Sequence, residues 1–158
     1  MQKLHPCLWF DDRIEEAANF YAATFKGKVA GIDYAPAEAP GLKAGSVLTA
    51  HIDILGQRFM LLNGGPQFKF NEAVSFVVNT ADQAETDHYW NTLIADGGEE
   101  SMCGWLKDKF GVSWQITPTR LGELLGGSDK AGAKRAMEAM LQMRKIVIAD
   151  LEKAYAGK

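Results

Sequence analysis

The sequence predicts an α+β fold: two tandem βαβββ modules forming a cupped mixed sheet, followed by C-terminal helices. Three observations carry this expectation. HPCLWF (5–10) runs into the helix-like DDRIEEAANFYAATF (11–25), and GQRFMLL (56–62) follows later. AVSFVV (73–78) runs into NTADQAETDHYWNTLI (79–94), and FGVSWQI (110–116) follows later. Each helix-like stretch carries an aromatic pair, Phe20–Tyr21 in the first and Tyr89–Trp90 in the second. A sheet-forming unit present twice must bury both copies of its apolar face. Pairing the copies creates a shared concave surface on which function is expected to sit.

The elements follow in order. Lys3 to Phe10 mixes apolar and β-prone residues and reads as a strand. Asp12 followed by Glu15 matches a capping box, which starts a helix that runs to near Gly27. Its apolar residues Ile14, Ala18, Tyr21, Ala22 and Phe25 keep three-to-four spacing, so one stripe faces a core. Strands are expected at Val29–Tyr34, Ser46–Ile54 and Gln57–Asn63, with a turn at Gly56. APAEAPGLKAG (35–45) is punctuated by proline and glycine and reads as an exposed loop, and NGGPQFKFN (63–71) links the halves. In the second unit Thr80 followed by Gln83 again matches a capping box, and Gly97–Gly98 stops the helix. Short strands are expected near Glu99–Met102, Gly104–Lys107 and Val112–Thr117, and Pro118 closes the sheet region. LGELL gives a short helix, 130–143 a longer one, and Ile146–Tyr155 a last one. Met137, Met140, Leu141 and Arg144 place a methionine-rich stripe on the longer helix, read as core or subunit packing.

Composition narrows the classes. At 158 residues the chain suits one domain, with module one at about 1–65, module two at about 70–118 and a helical extension over 119–158. A hydrophobic fraction of 47% supports a packed core. No apolar run spans a bilayer and the start carries no signal-peptide pattern, so a cytoplasmic protein without membrane association is expected. Cys7 and Cys103 lie far apart and read as reduced thiols. A net charge of −3 argues against a nucleic-acid partner. The late basic residues Lys130, Lys134, Arg135, Arg144 and Lys145 are flanked by acids and read as a solvated helix face.

The blocks PCLWFDD…EEAANFY, LNGGPQFKFNEAVSFVVN, CGWLKDKFGVSWQITP and MEAMLQM resemble the PhnB-like branch of the vicinal-oxygen-chelate superfamily. That superfamily includes glyoxalases, extradiol dioxygenases and bleomycin-resistance proteins, and the branch often carries the label 3-demethylubiquinone-9 3-methyltransferase. The resemblance extends over nearly the whole chain. The residues do not support the label. No strand leads into a glycine-rich turn and helix with a downstream acid to hold an adenosyl cofactor, and no phosphate loop is present.

Metal-using relatives place four histidine, glutamate or glutamine ligands on the concave sheet. The resemblance carries those places to His5 and Met60 in the first unit and to Ser75 and Gln115 in the second. A hard divalent ion wants carboxylate, imidazole or carbonyl donors. His5 and Gln115 qualify, whereas the Met60 thioether is soft and the Ser75 hydroxyl a poor neutral donor. No metal and no cofactor are therefore expected. An alternative set of His5, His51, Asp53 and Gln115 arises if the strand face carrying His51 and Asp53 turns inward. The opposing reading puts Ile52 and Ile54 inside and leaves the polar pair to solvent.

Other constellations are weaker. Cys7 alternates with His5 and Trp9, but a thiolate nucleophile needs a nearby cation, so Cys7 reads as structural. His88 reads as surface or packing. Without a metal, a lined cup remains: Trp9, Met60, Trp105 and Trp114 as walls, with His5, Ser75 and Gln115 as polar points. Trp114 also reads as packing under a helix, because it points opposite to Gln115. The expected function is binding of a small organic molecule in the cup of a homodimer, since resistance-type relatives sequester ligands across a dimer interface. The alternative is a divalent-metal-dependent lyase, isomerase or dioxygenase.

Overall fold

The computed structural model describes residues 3–158, so the Met1 and Gln2 ends of the expected features lie outside the described residues. The chain divides into two compact units, residues 1–70 and 71–158.

The first unit contains β1 (Cys7–Phe10), α1 (Ile14–Thr24), β2 (Lys28–Tyr34), β3 (Val47–Ile54) and β4 (Gln57–Asn63). Its sheet has the order β1-β4-β3-β2, with β1 parallel to β4 and the other pairs antiparallel. The expected order of strand, helix and three strands is therefore present. The first strand is shorter than expected, because residues 3–6 lie outside it. The start of the helix also differs. Asp12 and Arg13 both take left-handed backbone conformations, Arg13 is the N-cap, and no side chain caps the helix. The Asp12 amide donates to the Asn63 side chain, which turns the chain into the helix in place of a capping box.

The burial pattern follows the pleat. Ala50, Ile52 and Ile54 of β3, Phe59 and Leu61 of β4, and Leu8 and Phe10 of β1 are buried. They meet Ile14, Ala17, Ala18 and Tyr21 of α1, all nearly inaccessible. At roughly 25 cal/mol per Å² of apolar surface, this two-layer packing is the main term holding the unit together. Gly27 lies so close to the Asp53 carbonyl and Ile54 that a Cβ there would overlap them, which explains glycine at the turn from α1 into β2.

The second unit contains β5 (Phe76–Thr80), α2 (Gln83–Ile94), β6 (Glu99–Glu100), β7 (Trp105–Lys107), β8 (Ser113–Pro118), α3 (Thr119–Gly126), α4 (Lys130–Met140) and α5 (Ile148–Ala156). Its sheet order, β5-β8-β7-β6, repeats that of the first, with β5 parallel to β8. The α+β fold with two βαβββ modules and C-terminal helices is present in the structure. β5 starts later than expected, at Phe76, so Ala73–Ser75 precede the strand.

The second helix is capped, but two residues later than expected. Asp82 is the N-cap and accepts from the Glu85 amide at 2.9 Å, while the Glu85 carboxylate accepts from the Ala81 amide. Thr80 is buried instead, its hydroxyl 2.6 Å from that of Thr86. Gln83 leaves the cap and holds the C-terminal extension. Its amide donates to the Ile146 carbonyl and its carbonyl accepts from the Ile148 amide.

That extension has its own core of Leu121, Leu124, Ala136, Ile146 and Leu151. The methionine stripe is not all core. Met140 and Met143 pack against this cluster, but Met137 and Leu141 are about half exposed, because Ala133 and Ala136 take the inner face of α4. The late basic residues are largely paired. Arg135 donates to the Ala154 and Tyr155 carbonyls, Lys145 pairs with Asp87, and Arg144 lies near Glu100.

Candidate functional site

Each sheet has a face covered by its helix and a face left open. On the first sheet, alternation against the buried set puts Cys7, Trp9, Thr49, His51, Asp53, Arg58 and Met60 on the open face. Register aligns them in rows: Cys7 beside Met60 beside His51, and Asp53 beside Arg58. Ile52 and Ile54 are inside, as the alternating reading expects, and His51 and Asp53 share the open face with Met60 and Trp9.

These polar groups are already engaged. The Arg58 guanidinium donates to both Asp53 carboxylate oxygens, at 2.7 and 2.8 Å, and holds that carboxyl below its ordinary value of 3.8. His51 Nε2 lies 3.3 Å from Asp33, whose carboxylate also accepts from the Thr49 hydroxyl at 2.9 Å. The Trp9 indole is fastened from above. Its Nε1 donates to the Gly65 carbonyl at 2.8 Å, Phe68 meets it edge-on at 4.9 Å between centroids, and Gly64 lies against its ring. Trp9 is thus half covered by the segment that follows β4. His5 precedes β1 and is half-buried, with its Nδ1 buried and without a partner among the described residues.

Cys7 is exposed and not the buried structural cysteine expected, because β1 turns it to the open face; partial desolvation still raises its thiol above the ordinary value of 9.0. Met60 lies between Cys7 and His51, so the two are separated by two strand spacings, about 10 Å, too far for the imidazole to take the thiol proton.

On the second sheet the open face carries Val77, Trp105, Lys107, Ser113, Gln115 and Thr117. The Gln115 amide donates to the Ser75 hydroxyl at 2.8 Å, so these two expected site residues meet. Trp114 is buried on the opposite face and its Nε1 donates to Asp108 at 2.8 Å. It belongs to the core and not to a cup wall. Trp105 faces the open side, half-buried. His88 is exposed beside Tyr89.

The sequence reading missed a feature of this sheet. A hollow of about 150 Å³ is lined by Glu72, Glu99, Glu100, Trp105, Lys107 and Ser113. Lys107 pairs with Glu72, and Ser113 is 2% exposed with a hydroxyl that has no partner among the described residues. The signal was available, because Ser113 precedes Gln115 by two and so shares its face. A second, larger hollow of about 450 Å³ lies between the starts of α2 and α5, beside Arg120. There the Arg120 guanidinium is held by Glu123 and Glu152.

The resemblance implies a metal, and the donors on neither sheet fit one. Among the described residues no three of His, Cys, Asp and Glu group closely enough to hold an ion. Met60 offers only a thioether, and Asp53 would have to release Arg58 first.

Comparison with known proteins agrees with this architecture. A family profile described as 3-demethylubiquinone-9 3-methyltransferase matches residues 2–117. The match takes in the two modules and ends before the helical extension that carries MEAMLQM. A PhnB protein from Bacillus cereus, described as a 3-demethylubiquinone-9 3-methyltransferase, is 34% identical over 74% of this chain and 99% of its own, with a TM-score of 0.66. Protein PA1353 from Pseudomonas aeruginosa is 20% identical over 75% of this chain and 98% of its own, with a TM-score of 0.63. The fosfomycin resistance protein FosX from Listeria monocytogenes is 13% identical over 75% of this chain and 93% of its own, with a TM-score of 0.52. The last two share the fold alone. No curated protein matches the chain. No helix among the described residues is long and apolar enough to cross a membrane. With two repeated βαβββ modules and a family match over both, the chain belongs to the PhnB-like family described as 3-demethylubiquinone-9 3-methyltransferase.

Proposed function

We propose that this protein binds a small organic molecule on the open faces of its sheets, without a metal or cofactor, as a cytoplasmic homodimer. The ligand-facing residues are His5, Trp9, Met60, Ser75 and Gln115, with His51 and Asp53 beside them. The carrying observation is the state of the open faces. They present aromatic and thioether surface beside a few polar groups, the usual make-up of a small-molecule site. Asp53, on the same face as Met60, is neutralised by Arg58. A transferase reading gains nothing from the fold, because adenosyl cofactors sit on glycine-rich turns of doubly wound parallel sheets. Each sheet here is mixed, with a single parallel pair.

Ligand binding to the native state raises the melting temperature. A thermal-shift screen of a broad metabolite and antibiotic library is therefore expected to yield stabilising compounds, and no shift at high concentration would end the reading. Sedimentation equilibrium is expected to give twice the chain mass of 17.3 kDa, and a monomer would remove the dimer from it.

One observation favours a second reading, a divalent-metal-dependent lyase, isomerase or dioxygenase. His51 and Asp53 do stand on the face that carries Met60 and Trp9. Metal analysis of protein purified without an affinity tag separates the two, since stoichiometric bound metal belongs only to this alternative.

A further inference from the structure

Glu99 of β6, Lys107 of β7 and Ser113 of β8 form one cross-strand row on the second sheet. Lys107, in the middle, pairs with Glu72. Glu100 is engaged elsewhere, accepting from Trp90 Nε1 at 3.0 Å with Arg144 at 3.5 Å. Lys107 stands between two carboxylates, Glu72 and Glu99, and balances only one of them, so the three groups face the hollow with a net negative charge. At the other end of the row is the Ser113 hydroxyl, which lines the same hollow and is 98% withdrawn from solvent without a hydrogen-bond partner among the described residues. A buried hydroxyl without a partner costs free energy that a ligand atom restores.

Geometry sets the occupant. Glu99 and Ser113 stand two strand spacings apart, about 10 Å between backbones, so one ligand atom does not serve both well. The hollow of about 150 Å³ suits a group near the size of benzene, roughly six non-hydrogen atoms. A ligand with a cation at one end and a neutral oxygen a few ångströms away fits both the charge and the spacing. Its carbon chain would lie along Trp105, and indole is the side-chain ring best suited to a neighbouring cation.

We propose that this hollow binds small amino alcohols or amino carbonyl compounds, with the ammonium on Glu99 and the oxygen on Ser113 beside the Lys107 ammonium. This deepens the small-molecule reading and rests on it. A simple carboxylate is disfavoured, since Glu72 and Glu99 both repel it.

The test is calorimetric titration of the full chain with ethanolamine, ethylamine, ethanol and acetate at matched ionic strength. Ethanolamine is expected to bind with a millimolar constant, as so small a ligand allows, and at least several-fold more tightly than ethylamine or ethanol. Glu99→Gln is expected to weaken ethanolamine at least tenfold. Ser113→Ala is expected to bring ethanolamine down to the ethylamine level while leaving ethylamine unchanged. Both variants keep the wild-type circular dichroism if folded alike. Acetate binding as tightly as ethanolamine, or ethanolamine affinity unchanged in both variants, would overturn the assignment. Library compounds whose stabilisation survives both substitutions would leave the general ligand-binding reading standing and remove this one.

Discussion

Asp53 shows how a residue legible as a candidate ligand becomes something else once its neighbours are in place. Its carboxyl titrates below 3.8 because Arg58 hydrogen-bonds and attracts its charged form. A depressed carboxylate contributes stability that is present above the unfolded value and is lost as pH falls through the folded one. Asp53→Asn is therefore expected to lower the urea midpoint at pH 7, and the gap to wild type should close as pH is taken below 3.8. A gap that persists in acid would show that the pair acts through shape and not charge. Gly64 gives a second residue-scale expectation. A Cβ at that position would overlap the Trp9 indole, which must then leave the Gly65 carbonyl. Gly64→Ala should cost about 2 kcal/mol in denaturant titration and alter the near-ultraviolet dichroism of the indole.

Among the elements, the β7–β8 turn is built around one buried acid. Asp108, 2% exposed, accepts from the Phe110 and Val112 amides and from Trp114 Nε1. Asp108→Ala removes the acceptor of the buried indole N–H and of two turn amides and should cost about 3 kcal/mol in urea unfolding. A loss below about 1 kcal/mol would mean that the turn keeps its shape without the carboxylate. Strand existence and helix order were readable because alternation and three-to-four spacing report which side of each element is buried. Helix starts were less readable. DDRIEE satisfies a capping-box pattern at Asp12, yet two left-handed residues and the distant Asn63 side chain set the actual entry. Thr80 and Gln83 also matched the pattern, and tertiary partners, Thr86 and the 146–148 segment, claimed both side chains.

For the whole molecule, the extension is the part that the family match does not cover. It is fastened to the second βαβββ module by the Cys103 and Gly104 amides, which donate to the Met143 and Arg144 carbonyls, and by inaccessible Ile146. A chain ending at Pro118 is expected to keep a strand-rich circular dichroism spectrum with a clearly lower urea midpoint. An unchanged midpoint would show the helices to be passive. Ile146→Ala in the full chain should cost about 3 kcal/mol, the ordinary result of opening a cavity in a closed core.

By itself the sequence determined the repeated modules, the family and the poverty of hard donors at the expected metal positions. These follow from local periodicity and from which side chains stand at given places along the chain. Only the tertiary structure decided which donors were free. Register set Arg58 against Asp53 and Asp33 beside His51, and it aligned Glu99, Lys107 and Ser113 across three strands. Such pairings join residues distant in the chain, and whether a carboxylate stands open or neutralised depends on the strand that folds beside it.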